Sequence, residues 1–292
     1  MADPLPPRSD HPTSELTLVV GGTGKTGRRV AERLESLDRR VRIGSRSADP
    51  PFDWNDATTW DDALRGVTAA YVTYYPDLAF PGAVETVRAF ADAAVKAGAR
   101  RLVLLSGRGE PEAQRAEEVV AASGADVTVV RSSWFAQNFS EHFLLHPVLA
   151  GTIALPAGGV AEPIIDVDDV ADVAVAALTE DGHAGRLYEV TGPRLLTFEQ
   201  MAAELTAATG RDVRFADVTP EEYAAGAAAA GVPPEEIEGL TALFASILDG
   251  RNAYVADGVE QALGRPARDF ADYARRTAAT GVWNRPDVAA QA

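Results

Sequence analysis

From residue 15 onward, short apolar runs alternate with longer stretches whose apolar positions recur at helical spacing. Leu16-Thr17-Leu18-Val19-Val20 is continuous and rich in β-branched residues, the pattern of a strand buried on both faces. A glycine cluster follows, then RRVAERLESL with Val30, Leu34 and Leu37 on one helical face. The same reading places strands at Arg40–Ile43, Ala69–Thr73, Arg101–Leu105, Val127–Val130 and Arg186–Val190, with a very short third strand near Phe52. Helices fall at TTWDDALRG, Gly82–Ala97, Glu112–Ala122 and Asp168–Leu178. Strands separated by helices predict right-handed βαβ units and a doubly wound parallel sheet of the α/β class. Residues 134–160 break the alternation with aromatics, Pro147, Pro156 and paired glycines. Residues after 193 are mostly helical and rich in alanine, which predicts a smaller, mainly helical C-terminal substrate lobe over 194–292. Residues 1–14 are polar and rich in proline and read as a disordered leader.

The richest signal lies between the first strand and the first helix, at Gly21-Gly22-Thr23-Gly24-Lys25-Thr26-Gly27. Gly22, Gly24 and Gly27 fit G-x-G-x-x-G; Gly21, Gly24 and Gly27 fit G-x-x-G-x-x-G. Such a loop needs a tight turn, a close approach of backbone to pyrophosphate, and close packing of helix on strand. The helix N-terminus adds free N–H groups for phosphate. Gly24-Lys25-Thr26 imitates the end of a nucleotide-triphosphate loop, but that motif needs glycine where Val19 stands. A strand ending in a magnesium-binding aspartate is also missing, since Leu102–Leu105 runs into Ser106-Gly107. The loop therefore predicts a Rossmann-like dinucleotide-binding domain over 15–193, with 134–160 contributing to the substrate cleft.

Cofactor choice is read at the end of the second strand. Val41-Arg42-Ile43-Gly44-Ser45-Arg46-Ser47 carries no acid for a ribose hydroxyl until Asp49. Arg46 can fork onto a 2′-phosphate, with Ser45 and Ser47 adding hydroxyls, so the expected cofactor is NADPH/NADP+. The alternative is a solvated arginine on a surface turn. Arg42 falls on the opposite face by strand alternation.

Charge narrows the partners. The formal net charge is −16, which argues against binding a nucleic acid backbone. No apolar run approaches the roughly 18 residues of a membrane span. Cysteine is absent and the first residues lack a basic, apolar signal, so a cytoplasmic location is expected. Twenty-five of the 27 basic residues are arginine, because Lys25 and Lys96 are the only lysines. Tyrosine-acid ketone chemistry needs a lysine four residues after the tyrosine. Those positions hold Gly21 and Asp92, so no such pair exists. An iminium acceptor needs only hydride, and a quinone can take its proton from water, so the missing dyad narrows the reaction class.

Other candidates lie at the carboxyl ends of strands, where open α/β sheets bind ligands. Tyr74 and Tyr75 follow one strand, Ser106-Gly107-Arg108-Gly109 the next, and Trp134, Phe135 and Asn138 a third. Tyr74, Ser106 and Gly107 are read as facing the nicotinamide, and Tyr75, Arg108, Trp134, Phe135, Asn138 and His142 as facing the substrate. Phe52 and Asp53 are placed at the adenine end. Ser106, Tyr74 and Tyr75 are the only weak candidates for catalysis, and each aromatic reads equally well as core. His142 and His146 are spaced for one helix face, but without cysteine and with Pro147 following they are read as lobe-interface residues, and no metal is expected. Asp166, Asp168, Asp169 and Asp172 lack calcium-loop spacing; Asp166 and Asp168 are read as helix caps.

The stretches GGTGKTG, RIGSRS, LLSGRGE, EEVVAASGADVTVVRSSWFAQNF, IIDVDDVADVAVAAL and YEVTGP resemble the NmrA-like, atypical branch of the short-chain dehydrogenase/reductase superfamily, over about residues 16–283. PFDWNDATTW and DFADYARRTAATGVW are most similar to bacterial relatives of the fungal ergot-alkaloid reductases. The resemblance implies an NADPH-dependent reductase of a small apolar electrophile, an iminium or imine first and a quinone or azo compound next. The branch also contains catalytically silent NADP(H) sensors that dock on regulatory proteins, which is the alternative. Ser106 matches the family's usual serine, here without its tyrosine. A homodimer stays open.

Overall fold

A computed structural model describes residues 15–284; the expected leader at 1–14 lies outside the described residues. The first part of the chain runs β1 (Leu16–Val20), α1 (Lys25–Ser36), β2 (Arg40–Gly44), α2 (Trp60–Leu64), β3 (Ala69–Val72), α3 (Ala83–Ala97), β4 (Arg101–Gly107), α4 (Pro111–Ala121) and β5 (Asp126–Ser132). It continues through α5 (Asn138–Glu141), α6 (Leu145–Ala150), β6 (Thr152–Leu155), β7 (Ala161–Glu162), α7 (Val167–Thr179) and β8 (Leu187–Val190). The remainder is β9 (Leu196–Thr197), α8 (Phe198–Thr209), β10 (Arg214–Asp217), α9 (Pro220–Ala229), α10 (Pro234–Ile247), α11 (Gly258–Leu263) and α12 (Phe270–Ala279).

Six parallel strands form one sheet in the order β2-β1-β3-β4-β5-β8. Connections run outward on both sides of β1, so the topological switch point lies between β1 and β3, where such sheets bind dinucleotides. The apolar run of β1 is buried throughout. Leu18 and Val20 pack with Phe90, Leu102 and Leu104 on the face covered by α2, α3 and α4. Val19 packs with Val30, Leu34, Val103 and Val170 on the face covered by α1 and α7. Two helical layers on one parallel sheet are the doubly wound arrangement that the alternating pattern predicts.

The short strand expected near Phe52 is not formed. Asp53 and Asp56 make only an isolated bridge. Phe52 is 3% exposed and packs against Trp54, Trp60 and Phe90. Trp54 Nε1 donates to the Thr73 carbonyl and Trp60 Nε1 to that of Asp53. An aromatic cluster therefore fills the flank where a strand would have run.

The second core joins residues on both sides of position 193. Phe139, Val148, Ile153 and Leu155 pack with Phe198, Met201, Phe244, Phe270, Tyr273 and Trp283. Strand β10 pairs with β6 in parallel, and β9 with β7 antiparallel. The chain then returns to the sheet: Val259 on α11 belongs to the α7 face of the first core.

The aspartate-rich start of α7 is an ion-pair seam. Asp166 is the N-cap, accepting from the Asp168 N–H at 2.9 Å, as its position predicts. Asp168, expected to cap as well, instead meets Arg33 at 2.8 Å and Arg29 at 3.3 Å on α1. Asp169 is fully buried between Arg265 and Arg268, and Arg276 holds Asp166. Buried carboxylates survive because each is paired and hydrogen-bonded. His142 and His146 do not share a helix, since α5 ends at Glu141 and α6 begins at Leu145. The paired-face geometry that spacing offered is thereby removed.

Candidate cofactor and substrate site

The glycine loop leaves β1 at the switch point. Gly21 has φ +67° and lies so close to β3 that a Cβ would stand 2.6 Å from Thr73 Cγ2. This is the tight turn, which a side chain would strain. A Cβ on Gly27 would stand 2.2 Å from the Gly21 carbonyl oxygen, so Gly27 brings α1 onto the loop. A Cβ on Gly24 would meet only that same oxygen, at 3.2 Å. Gly24 is the N-cap of α1, the point where a phosphate would meet free N–H groups. Gly22 packs instead against Ile43. The G-x-x-G-x-x-G spacing thus puts glycine at the tight turn, Gly21, at the N-cap of α1, Gly24, and at the close contact of α1 with the loop, Gly27.

At the end of β2 the two arginines separate by function. Arg42 donates to the carbonyls of Ala63 at 2.7 Å and Arg65 at 2.8 Å, closing the end of α2. Arg46 is exposed and makes no ion pair among the described residues. Ser45 and Ser47 flank it with their hydroxyls 3.3 Å apart. A cation, two hydroxyls and no carboxylate partner form a cradle suited to a phosphate dianion.

Beyond the loop, α1 is tied to the segment after β5. Lys25 Nζ donates to Asn138 Oδ1 at 2.7 Å and lies 5.8 Å from the Phe135 ring centre. Burial pushes the lysine down to about 8. Burial, with Lys25 adding repulsion, pushes His142 down to about 4, so its imidazole is neutral. Arg28 and Arg29 both clamp Glu141, at 2.7 and 2.6 Å. Lys25, Phe135, Asn138 and His142 are thus brought together, with Trp134 nearby in sequence. Trp134 is half-buried among Phe143, Phe198 and Phe244 of the second lobe.

The strand-end residues divide. Tyr75 is 78% exposed, while Tyr74 packs on Trp54 at 5.0 Å. Ser106 is buried and donates to Glu117 Oε1 at 2.6 Å, and Glu117 also binds Arg131. Its hydroxyl is committed to α4 rather than to the cleft. Arg108, expected to face substrate, is 3% exposed. Its guanidinium pairs with Glu189 at 2.8 Å, donates to the carbonyls of Asn252 and Tyr254, and stacks over the Tyr254 ring at 4.2 Å. It fastens the 252–254 segment to the sheet; a single sequence shows an arginine after a strand but not a partner 144 residues on. Phe52, expected at the adenine end, has its ring enclosed by Trp54, Trp60 and Phe90 and offers no open face to a ligand.

Sequence reading passed over Glu110. It is the N-cap residue of α4, yet its side chain makes no capping bond. Its carboxyl folds back over Gly107, both oxygens 2.6 Å from where a Cβ would be. Burial, reinforced by Asp77, pushes it up to about 8. The one available signal was a glutamate directly before Pro111, where an N-cap serine or aspartate is usual. Elsewhere an open apolar groove lies between α9 and α10, lined by Ala224, Ala228, Val232, Ile237 and Ala245. It belongs to the second lobe and not to the strand ends.

No family profile matches the chain. The NAD(P)H azoreductase of Xenophilus azovorans is 31% identical over 288 residues, covering 90% of this chain and 98% of that protein. Agroclavine dehydrogenase of Claviceps fusiformis is 31% identical over 279 residues, covering 88% of this chain and 95% of that one. The fold is shared with the NADPH-dependent quinone oxidoreductase of Escherichia coli complexed with NADPH, at TM-score 0.76 and 21% identity, over 89% of this chain and 99% of that one. Two near-full-length relatives at this identity, on a sheet with this switch point and glycine loop, place the chain: it belongs to the NmrA-like, atypical branch of the short-chain dehydrogenase/reductase superfamily and stands with that branch's NAD(P)H-dependent oxidoreductases, the ergot-alkaloid reductases among its relatives.

Proposed function

We propose that the chain is an NADPH-dependent reductase of a small, flat, apolar electrophile, an iminium or imine foremost and a quinone or azo compound next. The observation that carries the cofactor choice is Arg46, a cation without an ion-pair partner among the described residues, beside Ser45 and Ser47 and one strand from the glycine loop. The residues fit the group: a Cβ on Gly24 would meet only the Gly21 carbonyl oxygen, as a close phosphate approach needs, and Arg46 is free of an ion pair among the described residues to answer a 2′-phosphate. NADPH, when bound, supplies the hydride.

The chain's own residues bind, orient and exclude water. Lys25 and the α1 N-terminus hold negative charge at the loop. The flat faces of Tyr75 and Trp134 suit a conjugated acceptor, and the aromatic second core behind Trp134 keeps that side dry. Holding donor and acceptor at reacting distance is the main contribution such a site makes. Relatives named NAD(P)H azoreductase and agroclavine dehydrogenase support this acceptor range.

The test is steady-state kinetics with NADPH against cyclic imines, iminium ions, quinones and azo dyes, on the wild type and on Trp134→Ala. The expected result is turnover of at least one class, with Trp134→Ala raising KM more than it lowers kcat. Tight NADPH binding with no turnover on any acceptor would overturn the reductase reading in favour of a silent dinucleotide sensor.

A further inference from the structure

The missing tyrosine–lysine dyad leaves a neutral acceptor without a proton donor, and the rim of the cleft holds an unassigned candidate. Asp77 follows β3 and Glu110 follows β4, and these strands are adjacent in the sheet. The Asp77 carboxyl faces that of Glu110 and acts on it by its charge first and by hydrogen bonding second. Glu110 reaches back over Gly107, the last residue of β4, because that residue has no side chain to block it. Glu110 Oε2 is buried and has no hydrogen-bond partner, one of five such side-chain atoms among the described residues. Buried polar atoms are normally satisfied, so this orphan at the carboxyl end of the sheet, where open α/β sheets bind ligands, has a bond left to offer.

We propose that Glu110, folded over the bare backbone of Gly107 with Oε2 left unpartnered, is the proton donor to the acceptor in this site. The inference rests on the reductase reading above and concerns those of its acceptors that need a proton: neutral imines, azo compounds and quinones. It replaces the expectation that solvent alone supplies that proton. Hydride from the reduced dinucleotide forms a new bond at one end of the acceptor's double bond, and the π pair moves to the nitrogen or oxygen at the other end. That atom takes the proton from Glu110, whose O–H bond breaks and leaves its electron pair on the carboxylate. The dinucleotide is oxidised by two electrons and the acceptor is reduced by two. Asp77 is a positioning residue, and water returns the proton to the pair through it.

The charged groups around the Gly107–Glu110 turn are accounted for. Asp77 faces Glu110 from the segment after β3. Arg108 is neutralised by Glu189, and Arg251, which reaches the Gly109 carbonyl at 3.3 Å, is neutralised by Asp249. Glu162 on β7 lies within the field of Arg108. No cation pairs with Glu110 among the described residues, and carboxyls without a cation stay protonated longer.

The experiment compares wild type, Glu110→Gln, Asp77→Asn and, as a control, Glu162→Gln. Each is assayed with NADPH and two acceptors, a neutral imine and an N-alkylated iminium ion that needs no proton. In parallel, carbon-13 NMR titrates the Glu110 carboxyl in the protein without NADPH. The expected result for Glu110→Gln is a loss of kcat on the imine of at least about a hundredfold, the low end for a committed acid. Its NADPH affinity and melting temperature should stay close to wild type, and the iminium ion should be reduced nearly as before. Wild-type kcat on the imine should fall as pH rises through the NMR midpoint. Asp77→Asn should move both midpoint and limb to lower pH together, because a repelling carboxylate is gone. Glu162→Gln should leave the limb in place. Equal activity of Glu110→Gln and wild type on the imine, or an NMR midpoint in the ordinary carboxylate range, would overturn the proposal while the reductase reading stands. A wild type that reduces neither of these, nor a quinone nor an azo dye, would instead end the reductase reading.

Discussion

Lys25 Nζ and Asn138 Oδ1 stand 2.7 Å apart across 113 residues of sequence, and this bond joins the glycine loop to the segment after β5. It holds a cation at the α1 N-terminus, where a phosphate would already be favoured. Burial lowers the lysine to about 8, so charge is lost just above neutrality. For a base with a lowered value, the charged form is present below it and disappears as pH rises through it. NADPH affinity should therefore fall between pH 7 and 9, with a midpoint at or above 8 because bound phosphate favours the charged form. Lys25→Met should weaken binding at pH 7 and flatten this dependence. Calorimetry across that range decides, and an unchanged slope in Lys25→Met would remove the lysine from the phosphate site.

On the proposed reading, Arg46 sets the preference between dinucleotides. A charge-assisted contact is worth about 1.5–3 kcal/mol, roughly tenfold to a hundredfold in affinity. Arg46→Ala should cost NADPH that much and leave NADH almost unchanged, in the same calorimetric experiment. Equal losses for both would make Arg46 a structural residue.

Gly24 and Gly27 should respond in opposite ways to substitution. Gly24→Val places its side chain over the α1 N-terminus, where only the Gly21 carbonyl lies near, at 3.2 Å. The variant should fold with a melting temperature close to wild type and lose NADPH binding. Gly27→Ala forces a Cβ to within 2.2 Å of backbone, and it should fold poorly or not at all. Circular dichroism melts with a fluorescence binding assay separate the two outcomes.

The sheet was legible because each strand is a short apolar run buried on both faces, and glycines mark the turns. Strand β1 and the loop after it carry their own signal in nine consecutive residues, Val19–Gly27. The second lobe was harder. Strands β7 and β9 are two residues each and exist only through pairing with one another, so no local pattern announces them. Arg108 and Ser106 were misplaced for the same reason. Their partners, Glu189 and Glu117, come from other elements, and a titratable side chain near a strand end looks alike whether it faces ligand or core. Glu110 went unnoticed because its chemistry depends on Asp77 and on the bare backbone of Gly107.

Glu162 provides a test of stability that does not depend on cofactor or substrate. Its side chain is 1% exposed and neither carboxyl oxygen has a hydrogen-bond partner. Burial raises it to about 7, Arg108 opposes the shift and Asp249 adds to it. A carboxyl with a raised value binds its proton more tightly in the folded state than in the unfolded chain. Below about 4.5 both states are protonated and the group has no effect on the pH dependence. Between about 4.5 and 7 the unfolded chain gives up the proton first, so stability falls as pH rises; above 7 the cost is constant. Glu162→Gln removes the ionisable group and keeps the shape. At pH 5 its stability should lie near that of wild type. At pH 8 it should gain on the order of 1–3 kcal/mol. At about 2–4 °C per kcal/mol that is a readable rise in Tm. Thermal melts of both proteins at pH 5 and pH 8 check the sign. A variant less stable than wild type at pH 8 would mean that the Glu162 carboxylate is paired in solution, Arg108 being the cation that acts on it.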